Sequence, residues 1–150
     1  MSLKTEIEQG IKTAMLAKDA DVLRTLRSIK SLILLEETSG AYSGALPAEA
    51  EMKLLVKAAK QRRDSLEVFQ AQGREDLAAK ERIELEIIER YLPKALDPAE
   101  LEARIQAIIT ELGAQGPGDM GKVMGQASKA LAGQADGKAI AAKVAELLKK

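Results

Sequence analysis

The chain of 150 residues lacks cysteine, histidine and tryptophan, and its only aromatic side chains are Tyr42, Phe69 and Tyr91. Without thiols or imidazoles it has no disulfide, no cysteine nucleophile, no histidine base and no Cys/His metal site. We therefore expect no catalytic residue, no cofactor and no bound metal. Three aromatic residues are also too few for a base-stacking platform that reads single-stranded RNA.

Long hydrophobic runs are missing as well. The block LILL at 32–35 is far shorter than the about 18 apolar residues that a membrane span requires. The first eight residues include Lys4, Glu6 and Glu8 and contain no apolar stretch typical of a secretory signal. From these two features we expect a cytoplasmic protein that does not contact a membrane.

The sequence has no excess of charge of one sign, since 23 basic residues balance 23 acidic ones. The chain as a whole is therefore unlike a general polyanion binder. The part from Gly116 onward differs slightly, because it contains six lysines and three acidic residues. A weakly basic surface is thus expected near the C-terminal end.

Aliphatic residues recur at spacings of three and four along most of the chain, which predicts an all-α fold with an aliphatic core. Asp or Pro residues mark most helix starts, and Gly or Pro residues mark most ends. Seven helices are expected: Leu3 to Lys18, a second from a cap at Asp19 or Asp21 to Thr38, Pro47 to Gly73, Glu75 to Tyr91, Pro98 to Gly113, Asp119 to Leu131, and a last one capped by Asp136.

The segment LPKALDP at 92–98 is the best candidate for a domain boundary, because two prolines interrupt the helical pattern there. Asp97 and Glu100 then have the spacing of a capping box. The prediction is a four-helix N-terminal bundle at 1–93 followed by a three-helix C-terminal bundle at 94–150.

The segment GPGDMGKVMGQ at 116–126 places glycines in the first turns of the predicted sixth helix, where each costs about 1 kcal/mol relative to alanine. It resembles a nucleotide-binding P-loop up to Val123, where that motif needs Ser or Thr. A second interpretation is close helix packing, since Gly121 and Gly125 share a face beside Met120 and Met124. A third is phosphate binding, with Lys122 one turn into the helix.

Two other charged groups need an interpretation. A solvated helix face is the simpler interpretation of KQRRD at 60–64. The alternative is a groove for an anionic partner, in which Arg24 and Arg27, on one helix face, join Lys60 and Arg63. The carboxylates of the fourth helix alternate with basic residues and are expected on an exposed face, not at a metal site; they are Glu81, Glu84, Glu86 and Glu89.

Five separated segments, in the right order along the chain, resemble those of the GatB/YqeY family. They are LRTLRSIKS, KAAKQRRDS, ERYLPKAL, GDMGKVMG and LAGQADGKAIAAKV. That family includes free-standing YqeY-like proteins and the tail of the B subunit of tRNA-dependent amidotransferases. The resemblance covers nearly the whole chain. It implies a four-helix bundle followed by a three-helix bundle, and a tail that holds the body of a tRNA.

The resemblance implies that the C-terminal motif contacts RNA, with Lys122 at a phosphate and Gly121 and Gly125 permitting close approach. Lys129 and Lys138 are included as candidate RNA contacts on the same weakly basic unit. The expected function is a non-catalytic module that binds tRNA or another structured RNA. Alternatives are an accessory protein for glutamine-dependent carbon–nitrogen ligase activity, as the resemblance implies, and an adaptor that binds another protein.

Overall fold

The computed structural model describes residues 2–149, so that Met1 and Lys150, one of the six C-terminal lysines, lie outside the described residues. Within that range the chain forms seven α-helices and no strand, which confirms the all-α prediction. No helix in residues 2–149 is both long and apolar enough to cross a membrane. The helices are α1 (Leu3–Ala17), α2 (Ala20–Glu37), α3 (Ala48–Ala71), α4 (Glu75–Glu89), α5 (Pro98–Leu112), α6 (Met120–Ala130) and α7 (Gly137–Leu148).

The chain divides into two compact units, Met1–Leu92 and Pro93–Lys150. The N-terminal unit contains α1 to α4 and packs an aliphatic core from all four helices. Tyr91 lies against this core with its hydroxyl group beside Gly10, and burial raises the pKa of the Tyr91 phenol. The fully buried large side chains of this unit are Ile7, Leu26, Ile29, Ile33, Leu55 and Ile88.

The C-terminal unit contains α5 to α7 and has a separate core of branched aliphatic residues. Each helix contributes to this core at the spacing of three and four that the sequence displays. Ile105 of α5, Val123 and Ala127 of α6, and Val144 of α7 are buried there, together with Leu131 directly after α6.

Several predicted helix ends are confirmed in atomic detail. Asp19 accepts a hydrogen bond from the Val22 amide and caps α2. Asp97 and Glu100 form the expected capping box at α5, with the Glu100 amide donating to Asp97 at 2.8 Å. Asp136 occupies the N-cap position of α7, but its side chain makes no cap hydrogen bond.

The N-terminus of α1 is capped by a residue of another helix. Glu51 of α3 is only 5% exposed and its carboxylate accepts hydrogen bonds from the amides of Leu3 and Lys4, at 3.3 and 2.9 Å. The free amides at a helix start favour a negative charge. Glu51 therefore fixes the position of α1 relative to α3.

Replacing Glu51 by leucine is expected to lower the free energy of unfolding of the N-terminal unit by about 2–4 kcal/mol, because two amides lose a charged acceptor. Glu49→Leu is the matched control, since Glu49 is exposed in the same first turn of α3. Urea unfolding of the two variants measures the difference. Equal midpoints would show that the cap contributes nothing.

Candidate nucleic-acid interface

The connection from α5 to α6 is held by local hydrogen bonds. Gly113 adopts a left-handed conformation with φ of 67° and ends α5, and the Ala114 amide donates to the Ile109 carbonyl. A 3-10 turn at Pro117–Asp119 leads into α6. The Asp119 carboxylate accepts from the Gln115 amide at 2.9 Å and makes no cap hydrogen bond to α6. The first turn of α6 therefore has no side-chain cap.

Helix α6 has two distinct faces. Val123 and Ala127 are buried in the core, and Met120 and Met124 pack against it. The opposite face is exposed, and at about 100° per residue its members cover one continuous arc of the helix. We call these six residues the α6 open face: Gly121, Lys122, Gly125, Gln126, Ser128 and Lys129.

The two glycines of the α6 open face have no packing role in the described chain. A Cβ atom built on Gly121 or Gly125 would have no neighbouring atom within 4 Å, beyond the adjacent residues and the helix's own backbone. Neither glycine has a positive φ. The interpretation that these glycines permit close packing of helices within the unit is therefore wrong, because Met120 and Met124 face the core and the two glycines do not.

Lys122 has a contact that the sequence does not predict. Its Nζ atom donates a hydrogen bond to the Leu112 carbonyl, at 3.2 Å, at the C-terminal end of α5. Unpaired carbonyls and the helix dipole attract a cation at such an end. The side chain nevertheless stays exposed, so its amine retains donors for a second partner.

The other two candidate lysines are exposed and make no ion pair with any residue of 2–149. Lys129 lies two turns beyond Lys122 on the α6 open face. Lys138 lies in the first turn of α7, which follows the connection at the C-terminal end of α6. The structure therefore groups Gly121, Lys122, Gly125 and Lys129 on one helix face, with Lys138 on the next helix.

The P-loop interpretation fails on two counts. Val123, at the position where a P-loop binds magnesium, is fully buried in the core. The element before the glycine segment is helix α5, whereas the P-loop follows a strand.

The four cations predicted for an anion-binding groove are exposed, and three of them are engaged by acidic neighbours. Arg24 pairs with Asp21, Lys60 with Asp64, and Arg63 with Glu89 of α4; these N–O distances are 3.0, 3.0 and 4.0 Å. Arg27 makes no ion pair with the residues described. The cation of α3 that contacts α2 is Arg62, which donates to the Ser28 hydroxyl at 3.2 Å. Three of the four predicted cations are therefore already paired with carboxylates, and the α3 cation hydrogen-bonded to α2 is one that was not predicted.

The carboxylates of α4 are not all exposed as predicted. Glu84 is buried and Glu81 is half-buried, while the apolar side chain of Ile83 on the same helix is 39% exposed. Glu84 precedes Ile88 by four residues and follows Glu81 by three, so the spacing that marks a buried face was present in the sequence. The prediction of an exposed face was based on the alternation of charges and did not take this spacing into account.

Comparison with known proteins defines the class to which this all-helical chain belongs. Residues 4–148 match the family model described as Yqey-like protein. The chain therefore belongs to the YqeY-like family, and the resemblance found in its motifs is confirmed.

Several relatives share the name "Altered inheritance of mitochondria protein 41, mitochondrial", among them the three that follow. The relative from Eremothecium gossypii is 37% identical over 109 residues, which cover 71% of this chain and 58% of the relative. Those from Lachancea thermotolerans and Clavispora lusitaniae are 34% and 38% identical, covering 74% of this chain in each case and 60% and 65% of the relatives. The match thus spans less than two thirds of each relative.

The names of these relatives contradict the prediction of a cytoplasmic protein, because they describe mitochondrial proteins. The prediction depended on the lack of an apolar segment typical of a secretory signal. Mitochondrial targeting segments are amphipathic and contain no such stretch. The lack of an apolar segment therefore did not justify assigning the protein to the cytoplasm.

Proposed function

We propose that this chain is a non-catalytic module that binds tRNA or another structured RNA through the α6 open face. The observation that carries the proposal is the open space beside Gly121 and Gly125, which is flanked by Lys122 and Lys129. Two glycines in a helix cost about 2 kcal/mol relative to alanine, and no contact in the unit compensates for that cost. The two glycines would have a function if the backbone of a partner lies directly against the helix, because a side chain at either position would block that approach.

The chemistry of the α6 open face favours a phosphate backbone as that partner. Its charged side chains are both lysines, and the adjoining first turn of α6 lacks a side-chain cap and presents the positive end of the helix dipole. The unit contains no aromatic residue, which disfavours base stacking. Recognition of backbone shape and 2′-hydroxyl groups, as for double-helical RNA, fits this surface.

The resemblance to the tail of the amidotransferase B subunit supports tRNA as the RNA. We also propose that the two units are independent bundles of four and three helices, so that the C-terminal unit carries the RNA contact alone. Association with a carbon–nitrogen ligase and an adaptor role remain the competing functions. Both predict a protein partner whose binding survives removal of RNA.

Replacing Lys122 and Lys129 together by alanine is expected to weaken binding to an unmodified tRNA transcript about tenfold at moderate salt. Each lysine that neutralises a phosphate contributes about one unit to the slope of log affinity against log salt, so the double variant should lose about two units. Filter binding across a salt series measures both quantities.

Lys80→Ala is the control, because Lys80 is exposed on α4 and makes no ion pair among residues 2–149. The Lys129→Ala single variant separates binding from stability, since Lys122 alone contacts the end of α5. An unchanged salt slope in the double variant would remove the α6 open face as the RNA contact.

A further inference from the structure

A polar depression of about 510 Å³ lies between α3 and α4 in the N-terminal unit. Its volume is within the range of small-molecule sites, about 300–1,000 Å³. Its lining contains three acidic residues and one basic residue, so its charge is negative. The lining residues are Gln61, Arg62, Asp64, Ser65, Glu81 and Glu84.

Glu84 is the unusual member of this group. It is 8% exposed, yet no donor or cation in residues 2–149 lies within hydrogen-bonding or ion-pairing distance of its carboxylate. No side-chain polar atom in the described chain is both shut off from solvent and without a partner. The carboxylate oxygens therefore keep their residual solvent access, which opens into the depression. The Glu84 side chain is thus mostly enclosed, while its carboxylate oxygens have no protein partner and are open to the depression.

Arg62, the basic residue of the lining, and Lys60, next to Gln61 on α3, both contact groups other than Glu84. Arg62 donates to the Ser28 hydroxyl at 3.2 Å and to the Ala58 carbonyl at 3.4 Å. Lys60 pairs with Asp64 at 3.0 Å. Glu81 lies one turn before Glu84 on α4 and lines the same depression. Glu81 and Glu84 thus line a space in which no basic side chain of residues 2–149 forms an ion pair with either carboxylate.

We propose that this depression binds an organic cation, an alkylammonium or guanidinium group, with Glu84 as its ion-pair partner and Glu81 as a second acceptor. The cation comes from a free polyamine or from a lysine or arginine side chain of a partner. A metal ion fits less well, because the described residues contain no group of three acidic side chains close enough to hold one. This site belongs to the N-terminal unit and does not depend on the proposed RNA contact.

Titration of the full chain with spermidine, followed by amide NMR shifts at near-physiological salt, tests the proposal. Shifts are expected at the lining residues, including Ser65 and Glu81. Glu84→Gln keeps the shape of the side chain and removes its charge, and should lower the affinity at least about tenfold. Glu86→Gln, an exposed position on the same helix, should leave the affinity within about twofold of the unchanged chain.

A parallel titration with a short lysine-rich peptide distinguishes the two sources of the cation, because the probe that binds more tightly identifies the source.

Thermal unfolding of the Glu84→Gln variant adds an independent measurement. Since Glu84→Gln removes a charge without a partner, its melting temperature should stay the same or rise. Absence of shifts at the lining with both probes, undiminished binding by Glu84→Gln, or a lower melting temperature of that variant would overturn the proposal.

Discussion

Alanine at both Gly121 and Gly125 is expected to stabilise the C-terminal unit by about 1–2 kcal/mol and to weaken RNA binding about tenfold. Stability should rise because both positions are helical and a Cβ atom would meet no neighbour. Binding should fall because two methyl groups keep the RNA backbone away from the helix. Thermal unfolding and filter binding of the same preparation measure the two effects.

Opposite changes in stability and binding cannot arise from misfolding, which would reduce both. Gly10→Ala is a useful contrast, since a Cβ atom there would lie 2.7 Å from Leu26 Cδ1 and would also meet the Tyr91 hydroxyl. The same substitution should therefore destabilise the N-terminal unit. If the double alanine variant were less stable than the unchanged chain, the two glycines would serve the fold and not a partner.

Leu131→Ala is expected to cost about 2–5 kcal/mol, because Leu131 is fully buried in the core of the C-terminal unit. A unit of fewer than 60 residues has only about 3–9 kcal/mol of stability, at about 0.05–0.15 kcal/mol per residue. The substitution should therefore remove a large fraction of the stability of residues 93–149, and it should weaken RNA binding to the extent that this unit unfolds. Hydrogen exchange resolved by residue measures the loss of protection.

Protection of residues 2–92 should persist in Leu131→Ala, because the proposal treats the two bundles as independent. Leu35→Ala is the matched control, since Leu35 is 69% exposed on α2 and should change stability by about 0.5 kcal/mol or less. Simultaneous loss of protection in both units would contradict independent folding.

The sequence was sufficient to predict the helices, because the signals that define them are local. The spacing of three and four in Ile105, Ile108 and Leu112 describes one face of α5, and the capping box of Asp97 and Glu100 marks its start. The helices are then followed by prolines or by glycines with a positive φ.

Contacts between distant residues could not be read in the same way. Glu51 caps α1 across 47 or 48 positions of the chain, and Arg62 reaches Ser28 across 34. Both depend on which helices become neighbours, and helical periodicity contains no information on that pairing.

The backbone conformation of Lys18 could not be predicted either. Lys18 has a left-handed conformation with φ of 56°, which favours glycine or asparagine, so a lysine at this position gave no indication of it.

The residues of the candidate site could be predicted from the sequence, but the contacts around them could not. The sequence predicted that Gly121, Lys122 and Gly125 lie at the start of a helix. Two glycines four residues apart are expected both where helices pack closely and where a helix surface is left open for a partner, so the spacing does not separate these interpretations. The two interpretations are distinguished only by the atoms that would surround a Cβ atom at each glycine, and these are known only from the structure. The hydrogen bond from Lys122 to Leu112 likewise depends on how α5 ends beside α6.

The most direct test of RNA binding through the α6 open face is an NMR titration of the full chain with tRNA, with amide shifts assigned along α6. The largest changes are expected on the α6 open face, at Gly121, Lys122, Gly125 and Lys129, and they should decrease as the salt concentration is raised. Changes confined to residues 2–92, or no changes at low salt, would contradict RNA binding through this face.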